Sequence, residues 1–316
     1  MKQFLLLLLF TSYFGFSQEF SSIEKITKDY PKHLSSEALA KKIASDFKSK
    51  ESQVKAIFNW VSKNISYDLD NFRNPKQKRI RFRYRNEAEK QQKINEIKNE
   101  IVDKTLTTRK AVCEGYAQTV AKICNLLNIE NEVIKGYVRN SLNDINNVRN
   151  ITNHAWNAIK INDKWIYIDA TWAAGAVFNG KWQRRFNPYF YDIPKEKYFK
   201  THLPENTLWQ LRVGRITKEG YYNQPIYESS FLKSDLELIS PKQGVLNNKK
   251  AIELKIKNLK PHQKVLFGFS GYQYAKKPDD ISYQNNISTI KITPPQNTRG
   301  LYLIIDNEVM LEFLIK

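Results

Sequence analysis

The sequence predicts an α+β core, with N-terminal helices and a later helix packed on an antiparallel sheet, followed by a small all-β sandwich. Three observations predict it. First, apolar residues recur at helical spacing three times: Leu39, Ile43 and Phe47; then Val54, Ile57, Phe58 and Val61; then Ala117, Val120, Ala121, Cys124 and Leu127. Second, two runs rich in β-formers, His154–Ile161 and Lys164–Trp172, flank Asn162-Asp163, which is a hairpin signal. Third, from Leu236 onward the pattern changes to short strands separated by Pro, Gly and Asn. The expected organisation is a leader at 1–17, an α+β domain at 18–220, a linker at 221–234 and a β-sandwich at 235–316.

Composition bounds the answer. The chain has 316 residues with 41% hydrophobic and 13% aromatic content, enough to build a core and to exclude wholesale disorder. Its 51 Lys and Arg against 32 Asp and Glu give a formal charge of +19. That excess fits either a solvated basic surface or an anionic partner such as a cell-envelope polymer, with nucleic acid not expected. Met1 to Ser17 reads as an export signal: Lys2, an apolar run from Phe4 to Phe10, and small Gly15 and Ser17 before Gln18. The run is too short to span a bilayer, and no later stretch reaches that length. The expected location is therefore periplasmic or secreted.

In chain order, Glu37 to Phe47 reads as the first helix after Ser35-Ser36, and Ser49 caps a second from about Glu51 to Asn64. Arg79, Arg81, Arg83 and Arg85 alternate with Ile80, Phe82 and Tyr84, the period of a strand with one dry and one cationic face. That strand is either a solvated edge or an anion-contacting strip. Glu87 to Asp103 reads as a polar helix with a narrow stripe at Ile94, Ile97 and Ile101. Val133 to Val138 is a strand, and Asn140 to Ile151 an Asn-rich loop.

Cys113 falls at the start of the third amphipathic helix. Helix N-termini favour anions, and the thiolate is the nucleophilic form of cysteine. The plainer reading is a buried, inert thiol. A bridge to Cys124 is excluded by geometry. The two lie about 16 Å apart on one helix, while a disulfide needs Cα atoms within about 7 Å. Downstream, a turn at Asn162-Asp163 pairs Ile161 with Lys164 and sets Asp169 opposite Trp156. His154 then shares a sheet face with Asp169 as a diagonal neighbour, about 7–8 Å away at Cα. A slip of one residue would separate them. Singly, a strand histidine and an aspartate that caps a turn each read as structural. Together with a helix-capping cysteine they read as Cys–His–Asp. No His, Cys, Asp and Glu cluster has the spacing of metal ligands, and no cofactor is expected.

Three motifs then carry a resemblance: Val112-Cys113-Glu114-Gly115-Tyr116-Ala117, His154-Ala155-Trp156-Asn157 with Trp165, and Asp169-Ala170-Thr171-Trp172. In this order they resemble the transglutaminase-like superfamily. Trp60 to Asp68 resembles the helix end before its core, and Thr201 to Leu211 a segment of the kyphoscoliosis-peptidase-like branch. The resemblance spans about residues 36–213. It implies a papain-like fold and a triad of Cys113, His154 and Asp169. Cysteine attack on an amide of a protein or peptide would give a thioester, open to water or to an amine. A backbone N–H at Cys113 would hold the oxyanion, with Tyr67 or Tyr116 as second donor, and Trp156 and Trp172 would wall the site. Many relatives carry Gly where Ala111 stands, which questions the loop geometry there. The alternative to an enzyme is a non-catalytic module of the same fold that holds partners at the cell surface.

Overall fold

The protein is described by a computed structural model covering residues 20–75, 81–211, 214–247 and 251–316. The leader Met1–Ser17 and Arg79 lie outside the described residues. Two compact units emerge. The first takes the described residues up to Lys135 together with His154–Ile193, and the second takes Gly136–Asn153 and Pro194–Lys316. Among the described residues no helix is long and apolar enough to cross a membrane.

In the first unit, helix α1 (Ser36–Asp46) is capped by Ser35, whose side chain accepts from the Ala38 N–H, and it buries Leu39, Ala40 and Ile43. Helix α2 (Lys50–Asn64) is capped by Ser49 and is buried from Gln53 to Ser62. Full burial brings polar groups inside, and they are matched in part: Thr27 Oγ1 donates to Asn59 Oδ1 (3.0 Å), and Gln53 Nε2 to the Phe47 carbonyl (2.9 Å), while Gln53 Oε1, Asn59 Nδ2 and the Ser62 hydroxyl find no partner among the described residues. After α2 the chain forms strand β1 (Ser66–Tyr67) and short helix α3 (Leu69–Arg73), and then departs into α4 (Glu87–Thr108). It returns through strand β2 (Lys110–Ala111), which pairs in parallel with β1: Ser66 with Lys110, Tyr67 with Ala111. Arg109 makes the return possible in a left-handed conformation, φ 54°.

The arginine strand is corrected. Arg81, Arg83 and Arg85 are exposed and lie in no strand. Alternation supplies one dry face but no partner. A strand without a partner has nowhere to place its backbone hydrogen bonds. The segment instead leads into the α4 cap, where Asn86 accepts from the Glu89 N–H and Glu89 reaches back to the Arg85 N–H.

Helix α5 (Cys113–Leu126) buries the predicted face, Ala117, Val120, Ala121 and Cys124, and Leu127 beyond its end is buried too. Full burial of a side chain of Val size contributes about 1.5–3 kcal/mol. The helix packs on strand β4 (His154–Ile161), and Asn157 Nδ2 ties the two by donating to the Ala117 carbonyl (3.0 Å). β4 and β5 (Lys164–Ile168) form the expected hairpin: Ile161 pairs with Lys164 and Asn157 with Ile168. Asn162 and Asp163 both have positive φ, the two-residue turn that matches strand twist. Strand β3 (Asn131–Val138) neighbours β4 in the sheet. Helix α6 (Ala170–Ala174) and the hairpin β6–β7 (Gly175–Phe178, Lys181–Arg184) follow. Arg184 anchors this hairpin by donating to the carbonyls of Ser62 (2.8 Å) and Ile65 (3.1 Å). Cys113 and Cys124 are free thiols.

In the second unit, the end of β3 pairs with β8 (His202–Pro204), which follows helix α7 (Lys195–Thr201). Residues 221–234 are not a linker, which corrects the expected boundary. Helix α8 (Lys218–Tyr222), strand β9 (Ile226–Tyr227) and helix α9 (Ser229–Lys233) bury Tyr221, Tyr222, Ile226, Phe231 and Leu232. The Tyr221 hydroxyl donates to the Thr201 carbonyl (2.5 Å), and the Arg139 guanidinium lies 4.6 Å from its ring. The tail then forms two sheets. One has the order β10 (Glu237–Ser240), β12 (Ile252–Lys257), β15 (Ile287–Ile292) and β14 (Asp280–Gln284). The other has β11 (Val245–Leu246), β17 (Glu308–Ile315), β16 (Gly300–Ile305) and β13 (Val265–Phe269), with β9 also on β17. Alternation holds: Ile252, Leu254 and Ile256 are buried between exposed Glu253 and Lys257. The short strands expected from Leu236 onward are thus present.

Candidate active site

The first unit brings the three singled-out residues together by three different local rules. Cys113 is the first residue of α5, behind the extended Val112. Its position depends on Gly115. A Cβ there would come within 2.5 Å of the Ala111 Cβ and 2.6 Å of Thr105 Oγ1, so only glycine lets the start of α5 sit this close to β2 and α4. Ala111 is not among the positive-φ residues, so the loop before Cys113 has no need of glycine at that position.

His154 opens β4. Its Nε2 lies 2.7 Å from Asp169 Oδ2, in a pair buried on both sides. Asp169 stands one residue past β5 and is the N-cap of α6. Its Oδ1 accepts from the N–H groups of Thr171 (2.9 Å) and Trp172 (3.0 Å). The turn-capping and histidine-orienting readings of Asp169 are therefore both realised, one on each oxygen. The Asp169 N–H donates to the Phe190 carbonyl (2.8 Å), which fixes the backbone as well.

The Cys113 side chain is a hydrogen-bonding partner of the His154 ring. Burial, the largest influence, disfavours the imidazolium. The Asp169 charge and hydrogen bond, followed by those of Cys113, outweigh it and push His154 up to about 10. These partners favour the imidazolium over the neutral ring. Cys113 itself is half-buried, so it opens to a reactant, whereas Cys124 is fully buried.

The two tyrosines separate. The Tyr116 hydroxyl is committed: it donates to the Ile65 carbonyl (2.7 Å) from a ring only 1% exposed, so Tyr116 braces α5 against the end of α2 and is not a free donor. Tyr67 is half-buried beside Ala111, and its phenol is raised well above the ordinary range by burial and by the charges of Cys113, Asp169 and Asp68. It stays protonated at any working pH and has a proton to donate near the thiol. The tryptophans also differ. Trp156 is buried and stacks behind His154 (centroids 6.0 Å), while Trp172 is half-buried, lies 5.8 Å from the imidazole and packs edge-on against Phe190 (5.4 Å). Trp172 is a wall and Trp156 a backing.

Sequence reasoning missed the charged depression of about 420 Å³ beside Tyr67, lined also by Asp68, Leu69, Asp70, Arg73, Lys110, Gly180, Lys181 and Trp182. No pattern joins these residues in the sequence; the two-residue β1–β2 pairing and the β6–β7 hairpin assemble them.

A cysteine at a helix start thus stands beside an imidazole–carboxylate pair carried by a strand and a turn, in an α+β unit. Residues 37–170 match the model of the transglutaminase-like superfamily. Over 197 residues the chain is 22% identical to the kyphoscoliosis peptidases of Homo sapiens and Mus musculus, covering 61% of this chain and 27% of each relative. It thus spans about a quarter of the length of these curated relatives. A crystal structure of a TGase is similar at 21% identity over 57% of this chain and 37% of that one, with a TM-score of 0.28.

Proposed function

We propose that this protein is an exported, cysteine-dependent amide hydrolase or acyltransferase that acts on protein or peptide substrates through Cys113, His154 and Asp169. The observation that carries the reading is the buried 2.7 Å His154–Asp169 bond with the half-buried Cys113 as the ring's other partner. Three groups with these properties form a nucleophile, a proton carrier and an orienter.

The Cys113 sulfur attacks the amide carbonyl carbon while His154 holds the thiol proton. The oxyanion is met by the Cys113 N–H at the α5 terminus, where intrahelical acceptors are missing, and by the Tyr67 hydroxyl. Collapse breaks the C–N bond, His154 gives its proton to the departing amine, and a thioester remains on Cys113. Water then attacks with His154 taking its proton, the acid departs, and the thiolate returns. A primary amine in place of water gives a new amide by the same route. Water needs no second binding site, which favours hydrolysis. The peptidase name of the similar proteins supports amide chemistry, and the apolar run after Lys2 supports export.

The test is a Cys113→Ala variant compared with the wild type on a library of fluorogenic peptides. In parallel, iodoacetamide labelling at pH 6 is read by peptide mapping. We expect turnover to vanish in the variant, and labelling to strike Cys113 and to slow many-fold in His154→Ala. Turnover that survives in Cys113→Ala, or labelling indifferent to His154, overturns the proposal. The second of these outcomes would favour a binding module.

A further inference from the structure

The depression beside Tyr67 carries five charged side chains of both signs. Asp68 is the N-cap of α3 and Asp70 lies in its first turn. Lys110 comes from β2, and Arg73 and Lys181 flank the β6–β7 turn. Opposite charges that share a surface gain little from closing on one another, so they can stay open to a ligand. Among the described residues none of these five closes into an ion pair. Asp68 Oδ1 accepts the Asn71 N–H (3.1 Å), and Arg73 Nη2 donates to the Gly180 carbonyl (2.9 Å). These bonds fix the side chains without neutralising them.

The depression also adjoins the proposed nucleophile. Tyr67 lines it and interacts with the Cys113 charge, and Lys110 in β2 precedes Cys113 by three residues. Its volume of about 420 Å³ falls in the range of ligand clefts, about 300–1,000 Å³. Tyr67 and Trp182 add apolar walls, and the Arg184 guanidinium covers Trp182 at 5.0 Å.

We infer that this depression is the subsite for the peptide flanking the reacting amide, and that it selects a dipolar segment bearing an ammonium and a carboxylate side by side. The inference rests on the amide chemistry proposed for Cys113. An ammonium meets Asp68 and Asp70, and a carboxylate meets Lys110 and Lys181. A ligand of one sign gains one wall and is repelled by the other; a dipolar one gains both. The overall charge of +19 favours any anion non-specifically, but it offers nothing to an ammonium, so the two carboxylates are the discriminating feature.

The experiment measures equilibrium binding, by calorimetry, to the intact Cys113→Ala chain, in which turnover cannot interfere. The probes are three acetylated and amidated hexaalanine peptides in which the central pair is Lys-Glu, Ala-Glu or Ala-Ala. Each exposed charge contact is worth about two- to five-fold, so the Lys-Glu peptide should bind about tenfold more tightly than the Ala-Ala peptide. The advantage should shrink at high salt. Replacing Lys110 and Lys181 by Glu should remove the gain from the carboxylate. Replacing Asp68 and Asp70 by Asn, which keeps the helix cap, should remove the gain from the ammonium, leaving the Lys-Glu and Ala-Glu peptides equal. Equal binding of all three peptides, or an Ala-Glu peptide as tight as Lys-Glu on the unaltered depression, overturns the inference. Labelling of wild-type Cys113 is read separately, so failure of the subsite and failure of the nucleophile give different results.

Discussion

Replacing Asp169 by Asn tests the proposed chemistry most directly, because the structure separates the two tasks of this carboxylate. Oδ1 takes the Thr171 and Trp172 N–H groups, and Oδ2 faces His154 Nε2 at 2.7 Å. An asparagine must orient its single oxygen toward the two N–H donors, since its NH₂ would face them donor to donor. The NH₂ is then left pointing at His154. The ring has to accept on Nε2 and carry its proton on Nδ1, the atom on its other side, so it can no longer receive the thiol proton. The helix cap survives. Loss of that cap alone would cost about 0.5–2 kcal/mol. We therefore expect Asp169→Asn to keep its unfolding midpoint close to that of the wild type. Turnover should fall about 10²–10⁴-fold, the usual worth of general acid–base catalysis. Asp169→Ala should be equally inactive and also less stable, by about 2–4 kcal/mol, from the lost cap together with an unpartnered buried imidazole. The assays are urea unfolding followed by fluorescence and steady-state hydrolysis of the best peptide from the Cys113 screen. An Asn variant that turns over within threefold of the wild type refutes the reasoning.

Gly115→Ala gains about 1 kcal/mol of helix propensity but forces the contacts at 2.5 and 2.6 Å, an overpacking worth about 1–3 kcal/mol, so urea titration should show a net loss of stability; an unchanged midpoint would mean that α5 has room to shift. His154 is pushed up to about 10 from an unfolded value of about 6.5, so its contribution to stability is complete below about pH 6.5 and is lost as pH rises through about 10. The stability gap between wild type and His154→Gln, followed by melting from pH 6 to 10.5, should narrow toward the alkaline end; a gap that widens contradicts the burial geometry. Tyr67→Phe should lower kcat about 10²-fold with little change in stability, because it removes an oxyanion donor. Tyr116→Phe should do the opposite: the Ile65 carbonyl loses one of two donors, at about 1 kcal/mol, and kcat stays.

The hairpin register was legible because it obeys a local rule. A two-residue turn at Asn162-Asp163 fixes every pair from Ile161 with Lys164 upward, and hence the meeting of His154 with Asp169. Helix α5 was legible because one face repeats without interruption. The arginine strand misled because alternation reports a face and not a partner. The supposed linker misled for the converse reason: α8, β9 and α9 are each too short to establish a period, so Tyr221, Tyr222 and Phe231 read as scattered aromatics although they are buried. The parallel β1–β2 pairing joins two dipeptides far apart in sequence, and no local pattern encodes such a contact. The division of labour between Tyr67 and Tyr116 depends on that pairing, which is why Tyr116 stayed a candidate beside Tyr67 on the sequence alone.

The same β1–β2 contact has a consequence for engineering. Ser66 and Lys110 stand side by side, and the Arg109 guanidinium binds the Asn64 carbonyl (2.9 Å) and the Lys32 carbonyl (3.0 Å). The excursion from Asp68 to Thr108 is thus cinched at its neck, and the cost of closing a loop grows only slowly with its length. The exposed first turns of α4 are a natural graft point. A shortened helix α4 that keeps the buried Val102, Thr105 and Leu106 would hang from the same neck and leave the pairing of Ser66 with Lys110 in place.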